Sequence, residues 1–288
     1  MTEIKADKID LDEILRSKNP RLLKLIPRFV LNYIKRVIHQ NQVNEALEKY
    51  KDKEGVDFIE CILHDFGAKI NVKNPENIPP TGRYLLVSNH PLGGLDGMAL
   101  MLAVGKIRRD ILFPVNDILL FLRNMRVLFI PINKHGKNIE NKKLLESTFA
   151  SDVMILYFPA GLCSRKQKGK IFDLEWKNTF IKKAIQHDRD IIPVHIDGRN
   201  SNFFYNLANW RKRLGIKANI EMLYLVDEMF KQNNKDINIT FGKAISRKVF
   251  DDRFNSRIWA SKVKEYVYEL GKDKTKEFPY LQAERIEK

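Results

Sequence analysis

Residues Leu85–Asp96 read LLVSNHPLGGLD. The apolar run Tyr84–Ser88 has the density of a strand buried on both faces, and it leads directly into Asn89, His90 and Pro91. Gly93 and Gly94 follow, and Asp96 then stands at the start of a helical pattern, where a short carboxylate suits an N-cap. A strand, a glycine turn and a helix make the first half of an α/β crossover. The same residues bring a carboxylate back toward a histidine delivered at a strand end. A histidine with such a partner is held in one tautomer and can act as general base toward a hydroxyl. The residues alone leave a second reading open, in which His90 is a satisfied histidine in a structural turn and Asp96 only caps the helix.

The rhythm continues outward from this unit. Short apolar runs occur at Ile111–Val115, Val127–Ile132, Val153–Phe158, Ile191–Ile196, Ile220–Val226 and Ile237–Phe241. Helical patterns separate several of them, at Gly97–Lys106, Asn138–Phe149 and Glu175–His187. Alternating strands and helices predict an α/β fold with a mixed, mostly parallel sheet flanked by helices. Residues 71–82, NVKNPENIPPTG, read as a connector. Trp259–Glu269 reads as a helix, and the charged residues 271–288 as a loose tail. The expected organisation is an N-terminal helical segment over 1–66, an α/β domain over 67–250, and a C-terminal helix and tail over 251–288.

The N-terminal extension is amphipathic. Residues 21–38, RLLKLIPRFVLNYIKRVI, put a wide apolar stripe opposite a basic face, with Pro27 placed to open the longer piece. Such a helix either packs on its own domain or lies in a bilayer interface, and one edge can do each. A second helix is expected over 41–66, broken near Gly55.

Composition narrows the partners. The chain has 288 residues, 44% hydrophobic and 30% charged, with 51 Lys+Arg against 36 Asp+Glu, a formal charge of +15. That is a globular composition with a cationic surplus, which favours an anionic partner such as anionic lipid, an acidic carrier protein or a phosphorylated substrate. A nucleic-acid-binding protein is the competing class, but the basic residues are scattered and no zinc-finger or RNP-type signature occurs, so no nucleic acid is expected. Cys61 and Cys163 show neither metal-ligand spacing nor a disulfide framework, which points to a reducing compartment and no metal site. The first twelve residues lack the apolar core of a signal peptide, and no run is long enough to span a bilayer.

Two further segments carry polar groups at strand ends. Tyr157–Arg165, YFPAGLCSR, follows a strand with Pro159, Gly161, Ser164 and Arg165. A glycine turn there exposes backbone N–H groups, and an arginine offers a bidentate site for phosphate or carboxylate; a solvated surface loop is the alternative. Basic residues continue from it: Arg165–Lys183 holds seven, against Asp173 and Glu175. Ile191–Arg199, IIPVHIDGR, reads as a buried strand whose His195 is packed rather than catalytic.

Taken in order on one frame, these segments resemble the lysophospholipid acyltransferase superfamily, the glycerol-phosphate (PlsC-like) acyltransferases and their relatives. Asn89, His90 and Asp96 match that family's Asn-His-spacer-Asp block. Phe158, Pro159, Gly161, Ser164 and Arg165 match Phe-Pro-x-Gly-x-x-Ser-Arg, and Ile192, Pro193 and Val194 match the apolar strand with proline. Val127–Lys134, VLFIPINK, resembles the remaining block, with Asn133 or Lys134 where the family has arginine. There are three departures: five residues rather than four separate His90 from Asp96, Ala160 stands in place of glutamate, and the block-two arginine is replaced or shifted. The form HPLGGLDG is similar to a bacterial, hemolysin-like branch that includes O-acyltransferases of ornithine and glycine lipids.

The resemblance implies transfer of a fatty acyl group from acyl carrier protein or acyl-CoA to the hydroxyl of a lyso-lipid, with no cofactor. His90 is then the general base and Asp96 its orienting carboxylate. Asn89, Gly93, Gly94, Lys134, Phe158, Pro159, Gly161, Ser164 and Arg165 are the expected substrate-binding residues, with backbone N–H groups near Gly161 at the oxyanion or a phosphate and Arg165 on the acceptor's anionic head. The implied location is cytoplasmic, on the inner face of an anionic membrane. A non-catalytic membrane-surface relative and a thiol enzyme built on Cys163 are the other readings; a serine hydrolase is disfavoured because no GxSxG elbow occurs.

Overall fold

A computed structural model describes residues 8–18, 20–132 and 139–280. Helices α1 (Leu11–Lys18), α2 (Pro20–Leu25), α3 (Arg28–Val37), α4 (Gln40–Lys49) and α5 (Gly55–Asp65) come first. Then follow β1 (Lys69–Lys73), β2 (Tyr84–Ser88), α6 (Gly94–Gly105), β3 (Ile111–Val115), β4 (Phe129–Pro131) and α7 (Ile139–Ala150). Next are β5 (Met154–Tyr157), β6 (Arg165–Gln167), β7 (Lys170–Phe172), α8 (Thr179–Gln186) and β8 (Asp190–Ile196). The chain closes with α9 (Asn202–Arg213), α10 (Leu225–Phe230), β9 (Asp236–Phe241) and α11 (Ser256–Leu270).

Among the described residues the main sheet has seven strands in the order β1-β9-β8-β2-β5-β3-β4. The strands from β8 to β4 run parallel; β9 pairs antiparallel with β8, and β1 pairs parallel with β9. The fold is therefore the expected mixed, mostly parallel α/β sheet flanked by helices. Its side chains alternate between two cores. Leu86, Leu156 and Ile192 face a core built with α5 and α6, whereas Leu85, Val87, Ile155 and Ile191 face one built with α8 and α11. Period-two alternation sends successive side chains to opposite faces, and here both faces are covered, so the strands read as continuous apolar runs.

The crossover after β2 leads to β3 on one side, and the chain leaving β5 leads to β8 on the other. Between β2 and β5 lies a topological switch point, where turns at the carboxyl ends of neighbouring parallel strands leave a crevice. The register pairs Leu86 with Leu156 and Val87 with Tyr157. Asn89-His90 and Phe158-Pro159 thus emerge side by side.

Several sequence expectations are corrected. Ile220–Val226 is not a strand: it forms a 3-10 turn, Ile220–Tyr224, that runs into α10. Buried Glu221 anchors that turn to two arginines, an interaction that an apolar-run criterion does not register. The connector expected from residue 71 begins instead as β1, an edge strand whose KINVK pattern is too polar to stand out. Within the basic stretch, β6 and β7 form a hairpin through Lys168 and Gly169, both at positive φ as a two-residue hairpin turn requires. Helix α9 was not among the expectations. The tail is not wholly loose either: Phe278 is buried beside Trp259 and Tyr266, while residues 281–288 lie outside the described residues.

The amphipathic segment divides at Pro27, which caps α3. Leu31 and Val37 are buried, whereas Leu25 and Phe29 are 77% and 75% exposed. One edge packs and the other is presented outward.

Candidate active site

The turn after β2 places a histidine against a carboxylate. Asp96 lies in the first turn of α6 and is fully buried. Its oxygens are 3.0 and 3.1 Å from His90 Nδ1, and one of them accepts the Leu92 N–H at 2.8 Å. In the neutral imidazole, Nδ1 then carries the proton donated to Asp96 and Nε2 carries the lone pair. Burial pushes the His90 pKa down, but the Asp96 carboxylate and the neighbouring Cys163 outweigh it and hold the imidazole well above its ordinary value. Phe158 stacks on the ring, with centroids 4.1 Å apart and planes 20° from parallel. The ring is held in position and plane.

Gly93 lies in the spacer between His90 and Asp96. It sits at φ +83°, a backbone conformation that L side chains rarely adopt, and a Cβ there would come within 3.0 Å of Leu225 and 3.4 Å of Cys163 Sγ. Gly93→Ala is therefore expected to cost about 1–3 kcal/mol of stability, read as a lowered urea midpoint with an unchanged slope. A midpoint equal to wild type would show that the turn relaxes freely. The space around Gly94 is open.

The first and third sequence blocks interlock. Ser164 N–H donates to the His90 carbonyl at 2.7 Å, and Ser164 Oγ donates to Asp173 at 2.6 Å. The Asp173 carboxylate also accepts the His90 N–H at 3.2 Å and the Trp176 indole N–H at 2.8 Å. Asp173 is fully buried, and it ties the backbone of His90 to the turn after β5. Its only sequence signal is an acid, three residues before a tryptophan, inside a basic run.

The structure reassigns other expected contacts. The Asn89 carboxamide is buried and used on both sides: Nδ2 donates to Ile196 O at 2.8 Å, and Oδ1 accepts Ile196 N–H at 2.7 Å. It clamps β2 to β8 instead of facing a ligand. The Gly161 N–H donates to Phe158 O at 3.0 Å, closing the turn, so it is not offered to an oxyanion. The Pro159 carbonyl accepts the Lys177 N–H at 3.1 Å.

Arg165 is the largest correction. Its side chain is 3% exposed, and it donates to Cys163 O at 2.7 Å and to Glu221 at 2.9 Å. Arg211 binds the other Glu221 oxygen at 2.8 Å. The expected anion-binding arginine is thus an interior clamp on the turn after β5. Lys134 lies outside the described residues. An exposed cation does stand at this turn: a Cβ on Gly161 would lie 3.7 Å from Lys177 Nζ.

Cys163 is fully buried under Phe204, Tyr205 and Leu225. His195 is packed as expected: it meets Tyr268 edge-on at 5.9 Å, and burial lowers its pKa.

Comparison with known proteins bears on this arrangement. A family model described as Acyltransferase matches residues 13–271. A lyso-glycine lipid O-acyltransferase of Bacteroides thetaiotaomicron is 51% identical over 94% of this chain and 100% of its own length. A lyso-glycine lipid O-acyltransferase of Phocaeicola vulgatus is 48% identical over 94% of this chain and 98% of its own. Among solved structures, the 1-acyl-sn-glycerophosphate acyltransferase PlsC from Thermotoga maritima aligns over 84% of this chain and 89% of its own, with a TM-score of 0.47 and 18% identity.

Proposed function

The chain belongs to the acyltransferase family and is an acyltransferase, and from that premise we propose that it esterifies the free hydroxyl of a lyso-glycine lipid, with His90 as general base. The observation that carries the mechanism is the pair at the switch point, with partly exposed His90 held through Nδ1 by fully buried Asp96. The two relatives at about half identity over nearly their whole length support the acceptor.

In this reading the donor is a fatty acyl thioester, of acyl carrier protein or CoA. His90 Nε2 takes the proton as the acceptor oxygen attacks the thioester carbonyl. The tetrahedral intermediate then collapses, the C–S bond breaks, and the thiolate leaves with the proton returned from the imidazolium. Asp96 stabilises that imidazolium without itself being protonated. A glycine head group presents a carboxylate. With Arg165 turned inward, Lys177 is the cation at the turn that suits it, and no described residue pairs with its ammonium. Direct transfer is favoured over an acyl-cysteine because Cys163 is fully covered.

The test is acyl transfer from labelled acyl carrier protein and from acyl-CoA to lyso-glycine lipid and lysophosphatidic acid in detergent. Product with lyso-glycine lipid, an acceptor KM raised about tenfold in Lys177→Ala at similar kcat, and near wild-type turnover in Cys163→Ser are expected. Preference for lysophosphatidic acid would overturn the acceptor, and loss of turnover in Cys163→Ser would move the mechanism to the thiol.

We also place the reaction at an anionic membrane surface. No helix of the described residues is long and apolar enough to cross a membrane. The exposed edge of α2 and α3, with Leu25 and Phe29 among Arg21, Lys24 and Arg28, has the composition of an interfacial helix.

A further inference from the structure

A second set of exposed apolar side chains lies far from α2 and α3 in sequence. On α9 and its C-cap, Phe203, Trp210 and Leu214 are 49%, 64% and 75% exposed. Spacings of seven and four residues put them on one stripe of the helix. The chain joins this stripe to the N-terminal helices. Tyr33 of α3 hydrogen-bonds Tyr224 through their hydroxyls at 2.9 Å, and Tyr224 meets Phe203 edge-on at 5.0 Å.

Charge sets these two segments apart. The chain has 36 acidic residues, yet none falls between Ile14 and Asn44 and none between Gly198 and Ile220. Lys212, Arg213 and Lys217 flank the α9 stripe and are exposed, as are Arg21, Lys24 and Arg28 beside the other. Large aromatic and aliphatic side chains protruding among exposed basic residues, in stretches of sequence that hold no acid, match the chemistry of an anionic bilayer boundary.

We propose that the α9 face and the α2–α3 edge form one platform that docks on an anionic bilayer, with Trp210 and Leu214 entering the head-group boundary. The inference rests on the membrane-surface reading above and extends it to an element outside the N-terminal helices. The platform adjoins the site. Phe203 faces outward while Phe204 packs on Cys163, and Tyr224 faces the platform while Leu225 covers Gly93. Two pairs of consecutive residues therefore span the layer between the docking face and the His90 turn.

Trp210 supplies its own reporter, because Trp176 and Trp259 are 2% and 1% exposed. The full chain is mixed with phosphatidylcholine vesicles, with and without phosphatidylglycerol. A blue shift of tryptophan emission and quenching by acyl-brominated lipid are expected with the anionic vesicles alone, and both should vanish in Trp210→Phe. The double variant Trp210→Glu, Leu214→Glu should keep its circular dichroism and its transfer to detergent-dispersed acceptor, and bind anionic vesicles on the order of tenfold more weakly. If wild type sediments with vesicles while Trp210 emission is unchanged and the double variant sediments equally, α9 is not part of the surface, although the membrane reading survives. If wild type sediments with neither vesicle, both fall. Equal binding to pure phosphatidylcholine, or an emission shift produced by acyl carrier protein in place of vesicles, would overturn the assignment to anionic lipid.

Discussion

Replacing His90 with alanine is expected to lower acyl transfer by about 10²–10⁴-fold while leaving the chain folded. Asp96 holds Nδ1, Phe158 stacks on the ring, and the proposed mechanism gives the proton to Nε2. His195 does not substitute for it: it meets Tyr268 edge-on and burial lowers its pKa. The pH dependence gives an independent check. The base works as neutral imidazole, so kcat/KM should rise as pH increases through the His90 pKa, which lies well above the ordinary histidine value. The Asp96 charge is what raises it against burial. Asp96→Asn should therefore move the acid limb to lower pH while reducing the plateau rate. Near wild-type turnover in His90→Ala, or an acid limb that stays put in Asp96→Asn, would sink the mechanism.

Glu221→Ala is expected to cost about 3–5 kcal/mol of folding stability, measured as the shift in urea midpoint multiplied by the slope. Glu221 is fully buried between Arg165 at 2.9 Å and Arg211 at 2.8 Å. Removing it strands two guanidinium groups, 3% and 8% exposed, with no counter-charge between them. The loss should reach the site as well. Arg165 holds the carbonyls of Cys163 and Ser164, and Ser164 holds the carbonyl of His90. Replacing Arg165, Arg211 and Glu221 together with apolar residues of similar volume should cost much less than the single change, because no buried charge is left unpaired. A midpoint unmoved in Glu221→Ala would mean that the arginines reach water.

The corrected role of Arg165 changes how the third block is understood. Its backbone geometry, not its charge, serves the site: Arg165, Ser164 and Asp173 brace the turn after β5 against the turn after β2. Anion recognition is left to a residue outside the block, with Lys177 as the proposed one.

The core of the site was legible in the sequence because it is local. His90 and Asp96 are six residues apart, and a strand, a glycine turn and a helix leave that pair few ways to arrange itself. The parallel sheet was legible for a similar reason: strands buried on both faces are apolar along their length, as β3, β5, the Tyr84–Val87 run of β2 and the Ile191–Val194 run of β8 are. The polar edge strand β1 escaped because nothing in its composition records that a neighbour completes it. Tertiary structure alone decided the fate of the charged and polar groups. Asn89 meets Ile196 across 107 residues, Asp173 meets the His90 backbone across 83, and Arg165 meets Glu221 across 56. A charge in a sequence reads as solvated by default, since a buried one is tolerable only when a partner removes the cost of leaving water. That partner is brought by the fold, and no local pattern announces it.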